Sequence, residues 1–537
     1  MLNPNLRKFL AAGTLGVAAI LGLPGMVHAA RPNIIIIQTD DQNGSTVRSQ
    51  YRGDNGRNHL TMPNTVREIF NGGTEFSNYY ATAPVCSPSR ASLLTGQYPH
   101  TNKLFGNEGQ RGGWEGFQAQ STYSENVPVS LSAAGYRTLH VGKFMNGYYD
   151  EVNDRVDTTV PPGWDRWFTT AFLPGTKYYG YEVSDNGTAA GPFGNPNYKS
   201  NGPGIDSKKC STKRLLNPPA GITCNYLPDV MTRQAVKEIK RAAGSPFYLQ
   251  VDYQAPHGDV KAPEGPQPAT RHMGSASRTP LPRPKDFNEA DISDKPVQIR
   301  KVAKNRLSRT DIKRLSKSYR LYLESLRSVD DGVGAIFDTL RKTGQLDNTY
   351  VFYLSDHGFF LGEHRFDFAK FMPYDASAKV AMAVRGPGVK KGKVSPEVTG
   401  NIDIGATTMA LAGANPPYDP DGRSLKPYWK DSGLRSRRGV EISLQVRAKA
   451  SGATTSAKAP VLNYDGLRVG PYKFIDYELG EDELYDLSRD PFELRNKIDK
   501  ANYAAVQQYM EDNLPKVTDC RGAECRADLP PWPDRGD

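Results

Sequence analysis

Cysteine is scarce in this chain, five in 537 residues, which excludes a scaffold built mainly from disulfides. Beyond residue 30 there is no apolar run long enough to cross a bilayer. Internal repeats are missing, and no nucleic-acid motif accompanies the basic excess, so no nucleic-acid partner is expected. What remains is long enough for one large domain or two unequal ones. The net charge is +10. Much of the excess lies between Lys285 and Arg327 as a scattered basic stretch. A solvated helix face accounts for it, and such a surface would also attract anionic polymers.

The one apolar run stands at the start. Arg7 and Lys8 precede the apolar or small residues from Phe9 to Leu23, and Val27-His28-Ala29-Ala30 offers a small-residue cleavage site. Residues 1–30 read as an export signal, with no stable membrane insertion after cleavage, so the mature chain is expected to be secreted or periplasmic. Losing Arg7 and Lys8 takes two from the +10 excess, leaving +8. No twin-arginine pair is present. In an oxidising compartment the simplest pairing is Cys210 with Cys224 and Cys520 with Cys525, each closing a short loop. That pairing leaves Cys86 alone, although connectivity stays open from sequence.

Asn33-Ile34-Ile35-Ile36-Ile37 has the β-branched run of a strand buried on both faces, and it leads through Gln38-Thr39 into Asp40-Asp41. Tyr350-Val351-Phe352-Tyr353-Leu354 leads into Ser355-Asp356-His357-Gly358. A third strand, 137–141, ends at Gly142-Lys143, and a fourth, 246–251, ends near Ala255-Pro256-His257. Their alternation with helical patterns predicts an α/β fold with a mostly parallel sheet flanked by helices. Ligands bind beyond the carboxyl ends of such strands, so acidic, His and Lys side chains should converge on one rim.

Long stretches at 148–228 and 258–310 are expected to shape a substrate pocket. A helical run follows from Asp311 to Arg341. Past about 430 the pattern turns to short antiparallel strands at 466–475 and 483–487. A catalytic domain over 31–430 and a smaller α+β subdomain over 431–537 are therefore expected. The Ala/Ser/Thr/Lys-biased patch at 448–459 reads as a flexible loop.

Cys86-Ser87-Pro88-Ser89-Arg90, followed by Thr95-Gly96, resembles the signature of the type I, formylglycine-dependent sulfatases. The resemblance implies an alkaline-phosphatase-like fold and hydrolysis of sulfuric esters. It implies that a formylglycine-generating enzyme oxidises Cys86 to the aldehyde. Hydrated, that aldehyde would offer one hydroxyl to attack sulfur and a second to expel sulfate. A serine lacks the second hydroxyl and would stall.

The same resemblance makes Asp40, Asp41, Asp356 and His357, with residue 86, the ligands of one Ca²⁺ per chain. Three carboxylates suit a hard cation. His357 stands where many members have Asn, and imidazole also suits transition metals. Arg90, one turn into a helix expected to begin near Pro88, would hold the diol and a ligand carboxylate at an anion-favouring helix end. Lys143 and Lys370 resemble the family's sulfate-binding lysines. His257 resembles the histidine that contacts sulfate or protonates the leaving oxygen.

Many members place a histidine two residues after the first lysine, whereas this chain has Met145 and then Asn146. Asn146 matches the N-acetylglucosamine-6-sulfatase and heparan sulfatase-like branch and would orient the diol. Asn107 and Glu108 are candidates to contact sugar hydroxyls, and His100 is expected to be structural. Tyr178-Tyr179-Gly180-Tyr181, Leu326-Arg327-Ser328-Val329-Asp330-Asp331 and Leu484-Tyr485-Asp486-Leu487 resemble the same branch. The implied substrates are sulfated carbohydrates, with aryl sulfates as small surrogates. Two alternatives stand beside this: a phosphoester or phosphonate hydrolase of the same superfamily, and a non-catalytic binder of sulfated polysaccharide that keeps Cys86 as a thiol.

Overall fold

Four consecutive isoleucines organise the centre of the protein. In the computed structural model they lie on strand β1 (Asn33–Thr39), with Ile35 and Ile37 in one core and Ile34 and Ile36 in the other. All four are fully buried, as a strand covered on both faces requires. The structure describes residues 31–536 apart from 54–55, 172–176, 196, 198–205, 219, 261–264 and 446–462. The export segment and the 448–459 patch therefore lie outside the described residues.

β1 belongs to a ten-stranded sheet. Its other strands are β2 (Thr74–Tyr80), β3 (Arg137–Lys143), β4 (Arg166–Thr170), β5 (Tyr181–Asp185), β6 (Thr188–Phe193), β7 (Phe247–Asp252), β8 (Thr349–Ser355), β9 (Ala383–Arg385) and β10 (Lys393–Gly400). Their spatial order is β6-β5-β4-β3-β7-β1-β8-β9-β2-β10. The run from β4 through β3, β7 and β1 to β8 is parallel throughout. Ile34 pairs with Tyr248 on one side and Tyr350 on the other. The five strands therefore end together on one rim.

Helices cover both faces. Helix α1 (Cys86–Thr95) and helix α4 (Asn401–Ala412) pack on the Ile34/Ile36 face through Leu93, Ile404 and Met409. Helix α2 (Leu227–Arg241) and helix α3 (Arg309–Lys342) cover the other through residues such as Met231, Ile239, Leu326 and Val333. α3 starts where Ser308 and Asp311 form a reciprocal capping box and ends on Arg341 and Lys342, which suit the negative helix terminus. Among the described residues no helix is long and apolar enough to cross a membrane.

The described residues of the 148–228 stretch are more regular than its Gly/Pro/Tyr content suggests. It carries β4, β5 and β6, which extend the sheet at one edge. Among its described residues the 258–310 stretch is mostly turns, with a short helix, Val297–Val302, before the start of α3. Two disulfides form, Cys210–Cys224 and Cys520–Cys525, and Cys86 is left as a buried free thiol.

A second sheet of four antiparallel strands, β11 (Val440–Leu444), β12 (Tyr464–Val469), β13 (Tyr472–Tyr477) and β14 (Glu483–Asp486), follows. One face packs on helix α5 (Ala504–Asn513) through Phe474, Leu484, Val506 and Met510. The other packs Ile442, Ile475 and Tyr485 against Phe360, Met372 and Tyr374. Those last residues belong to the loop that carries Lys370, so the second sheet supports one wall of the rim.

Candidate functional site

Asp40 and Asp41 leave the end of β1, Asp356 and His357 leave β8, and Lys143 is the last residue of β3. His257 lies just beyond β7. Asp41 turns the chain with φ at 64°, in the left-handed region that Asp tolerates better than most residues. α1 points its first turn into the same space. It starts at Cys86, two residues before the expected position near Pro88, because Val85 is extended and the missing N–H of Pro88 falls in the turn that has no intrahelical partner anyway. Gly96 closes the helix with φ at 68°, a conformation only glycine adopts without strain.

The thiol is the centre of the cluster. Cys86 Sγ lies 3.1 Å from Lys370 Nζ, 3.4 Å from His357 Nε2 and 3.8 Å from Asp40 Oδ1. Lys370 Nζ also donates to Asp41 Oδ1 at 2.7 Å, and Lys143 Nζ donates to Asp40 Oδ2. Arg90 donates to Asp356 Oδ2 from Nε at 3.1 Å and Nη2 at 2.9 Å, and to the Lys143 carbonyl at 3.0 Å. His257 Nε2 stands 3.6 Å from Asp41 Oδ2, with Nδ1 2.9 Å from the Gly258 carbonyl. Asp40, Asp41, Arg90, Lys143 and Asp356 are all buried, whereas His257 is about a quarter exposed, at 23%.

Asn146 and Asn107 sit at the helix start rather than beyond it. The Ser87 hydroxyl donates to Asn146 Oδ1 at 3.2 Å and accepts from the Asn146 N–H at 3.0 Å. Asn107 Oδ1 accepts from the Ser87 N–H at 3.0 Å, filling one of the orphan donors of α1. Its carboxamide oxygen is thus committed to holding Cys86 in place, while Glu108 is exposed. His100 is bonded away from the site, to Glu441 and the Cys520 carbonyl.

The electrostatics follow from burying both signs together. Burial would raise the Asp40 carboxyl, yet Lys143, His257, Arg90 and Lys370 hold it well below the usual range. Burial likewise opposes ionisation of Cys86, and Lys143 and Lys370 outweigh it, so the thiol is pushed down. Burial lowers His357, but the Asp356 carboxylate dominates and holds the imidazole at about 9. A carboxylate oxygen of Asp40, another of Asp41, the Cys86 sulfur and a His357 ring nitrogen all lie within 4.8 Å of one another. Anionic oxygens, a sulfur and an imidazole at that spacing suit a divalent cation, whose binding would displace the proton from His357.

Ser89 belongs to the signature but had no role assigned, and the other residues of the arrangement are not evident from sequence motifs. The Ser89 hydroxyl donates to the Asp356 carbonyl, and Asn401 on α4 donates to the Ser89 carbonyl at 2.9 Å and hydroxyl at 3.0 Å. Gln38, His140, Gln250 and Asp252 form a buried polar ladder under Arg90. The available signal was polar residues placed in strands that are otherwise apolar on both faces.

Comparison with known proteins gives one consistent result. The family model described as Sulfatase matches residues 32–414, and that described as N-sulphoglucosamine sulphohydrolase, C-terminal, matches residues 362–519. An arylsulfatase of Volvox carteri is 30% identical over 96% of this chain and 78% of its own length. The N-acetylglucosamine-6-sulfatase of Homo sapiens is 28% identical over 98% of this chain and 90% of its own length. A solved structure of a protein in complex with its substrate D-glucosamine-2-N,6-O-disulfate superposes with a TM-score of 0.67 at 24% identity, covering 92% of this chain and 98% of that one.

Proposed function

The chain belongs to the sulfatase family and is a sulfuric ester hydrolase; from that premise we propose that it cleaves sulfate monoesters of sulfated sugars, with formylglycine made from Cys86 and one Ca²⁺. The observation that carries this reading is the buried thiol of Cys86 set among Asp40, His357 and Lys370 within 3.8 Å. Members of the family generally use formylglycine and a divalent metal; here the aldehyde hydrate would supply a hydroxyl nucleophile and the cation would polarise the sulfate oxygens.

The remaining roles fall to this chain's own side chains. Asp40, Asp41, Asp356 and His357 would hold the cation together with residue 86. Arg90 anchors Asp356 and presents the positive helix end to an anion. Lys143 and Lys370, on two sides of the thiol, neutralise the sulfate oxygens, and burial strengthens both. The Gly258 carbonyl fixes the Nδ1–H tautomer of His257, so Nε2 is the nitrogen that takes up a proton and delivers it to the leaving oxygen. Asn146 orients the diol through its contact with Ser87, and Asn107, whose Oδ1 holds the Ser87 N–H, offers its carboxamide nitrogen to a sugar hydroxyl.

The sugar preference is supported by the names of the relatives, one of them an N-acetylglucosamine-6-sulfatase. Secretion and maturation by a formylglycine-generating enzyme complete the proposal. Residues 31–430 act as the catalytic domain, and 431–537 act as a smaller subdomain bracing the Lys370 loop.

The test pairs mass with turnover. Oxidation to the aldehyde lowers the mass of the peptide containing residue 86 by about 18 Da. Calcium-loaded protein carrying that mass change is expected to hydrolyse N-acetylglucosamine-6-sulfate and an aryl sulfate. An unmodified thiol in protein from its native host favours the polysaccharide binder. A large preference for a matched aryl phosphate favours the phosphoester hydrolase.

A further inference from the structure

Behind Arg90 lies a fourth carboxylate that the reaction as described does not use. Asp252, at the end of β7, is 1% exposed, and its Oδ2 stands 3.8 Å from Arg90 Nη1. That oxygen also accepts from Gln250 Nε2 at 2.8 Å and lies 3.0 Å from His140 Nε2, while Oδ1 accepts from Gln38 Nε2 at 3.1 Å. The strand register makes this ladder possible. It sets Gln38 of β1 beside Asp252 and His140 of β3 beside Gln250. Period-two alternation then turns Gln250 and Asp252 to the face that carries α1.

His140 is itself fixed. Nδ1 lies 2.7 Å from the Thr169 hydroxyl, and the ring stacks on Trp167 at 4.5 Å between centroids. Burial pushes this imidazole below its ordinary range, so it stays neutral and its Nε2–H is the donor to Asp252. Four buried polar groups in the middle of a sheet are expensive, and apolar residues of the same volume would cost less. Stability alone gives no reason to keep them.

Charge does. Without Asp252 the cluster holds three carboxylates, Asp40, Asp41 and Asp356, against Arg90, Lys143 and Lys370. A divalent cation would then leave an excess of two positive charges with both imidazoles neutral. Asp252 reduces that excess to one. A sulfate monoester carries one negative charge at neutral pH, and a phosphate monoester carries close to two. We propose that Asp252 is a specificity-determining residue, a fourth buried carboxylate held on Arg90 by His140, Gln250 and Gln38, which sets the site's charge for a singly charged ester. This inference rests on the sulfatase reading above.

Asp252→Asn is the direct test, because an asparagine keeps the acceptor for His140 and Gln250 and can donate to a flipped Gln38. The ratio of kcat/KM for an aryl phosphate to that for the matched aryl sulfate is expected to rise about tenfold or more. Binding of two inert ligands, an aryl sulfonate with one charge and an aryl phosphonate with close to two above about pH 8, is followed there by calorimetry and should shift toward the phosphonate in the same variant. The double variant Gln38→Glu with Asp252→Asn returns the charge to the neighbouring strand and should bring both ratios back toward wild type. It also keeps the test alive if the single variant does not fold.

Equal losses on both esters, with the two ligands weakening together, overturn the proposal. So does a double variant that folds and keeps the ratios of Asp252→Asn. A wild-type protein that turns over neither ester sinks the sulfatase reading, and the ligand pair still decides the charge question.

Discussion

Two clusters of buried ions stand at the ends of one short loop. At one end Lys370 meets Asp41 and Cys86; at the other, Asp375 meets Lys473. Lys473 is fully buried, and its ammonium finds three acceptors: Asp375 Oδ1 at 2.6 Å, Glu493 Oε1 at 2.6 Å and the Pro373 carbonyl at 3.1 Å. Three donors meet three acceptors, so that cluster is closed. Nearby, Glu483 accepts from the hydroxyls of Tyr374, Tyr477 and Tyr485 at 2.9, 2.8 and 2.6 Å. The rim cluster likewise pairs lysines with carboxylates, yet it stays open. Lys370 is 12% exposed, His257 is more so, and a thiol takes the place of a closing hydroxyl. Buried charge therefore does not by itself mark a reactive site. What marks it is donors left facing the entry, with a reactive atom among them.

The contrast breaks most sharply at Lys473. Lys473→Met strands Glu493 and leaves Asp375 with only the partly exposed Lys379 at 3.5 Å, and removing one partner of a buried pair costs about 3–5 kcal/mol. Urea unfolding should report that loss, with turnover per folded molecule largely kept. A loss below about 1 kcal/mol, the scale of an exposed pair, would mean that the closed cluster is no more braced than the surface.

Lys370→Gln should behave the opposite way. Losing a charge aimed at the reacting oxygens is expected to lower kcat/KM by about a hundred- to a thousandfold. Stability should move less than at Lys473, by about 1–2 kcal/mol, because in the metal-free protein Asp41 keeps the His357 imidazole, held at about 9, as a charged neighbour. Were both variants to lose stability equally and activity equally, the distinction between the clusters would be gone.

The same contrast explains what could be read before the structure. β1 and β8 announce themselves through near-continuous apolar runs, since a strand buried on both faces has no polar side, and β3 and β7 do so less cleanly because His140 and Gln250 interrupt them. Their acidic and His endings made Asp40, Asp41, Asp356 and His357 visible as a set, and α3 was legible from its periodicity and the Ser308 cap. β9 and β10 carry weaker strand patterns: β9 has three residues, and β10 carries Pro396 at the sheet edge, where proline is tolerated. β11 is only five residues long; its Val-Glu-Ile-Ser-Leu alternation is a strand pattern, but Glu441 and Ser443 are buried rather than turned to water. Lys143, at the end of β3, and Lys370, on a loop, carry no spacing rule that points to the thiol, and only resemblance to relatives suggested their roles. Asp252 and His140 escaped for a different reason. A polar residue in a strand normally reads as facing water, and here both faces are covered.

The mildest expected effect concerns a joint between the two sheets. His100, just after α1, lies 2.7 Å from Glu441 Oε2 on β11 through Nδ1, and 2.8 Å from the Cys520 carbonyl through Nε2. A neutral imidazole donates only one hydrogen, so two acceptors require the cation. Burial works against that charge, but Glu441 outweighs it and holds the group at about 9. Because the folded value lies above the ordinary 6.5, the stabilisation is complete below about pH 6.5 and is lost as pH rises through about 9. Allowing for partial exposure, the joint contributes about 2 kcal/mol when protonated. The difference in unfolding free energy between wild type and His100→Gln should therefore be largest near pH 6 and shrink toward pH 10. A difference that stays constant across that window would show that the joint is held by packing around Tyr98 and the Cys520–Cys525 bridge rather than by the charged pair.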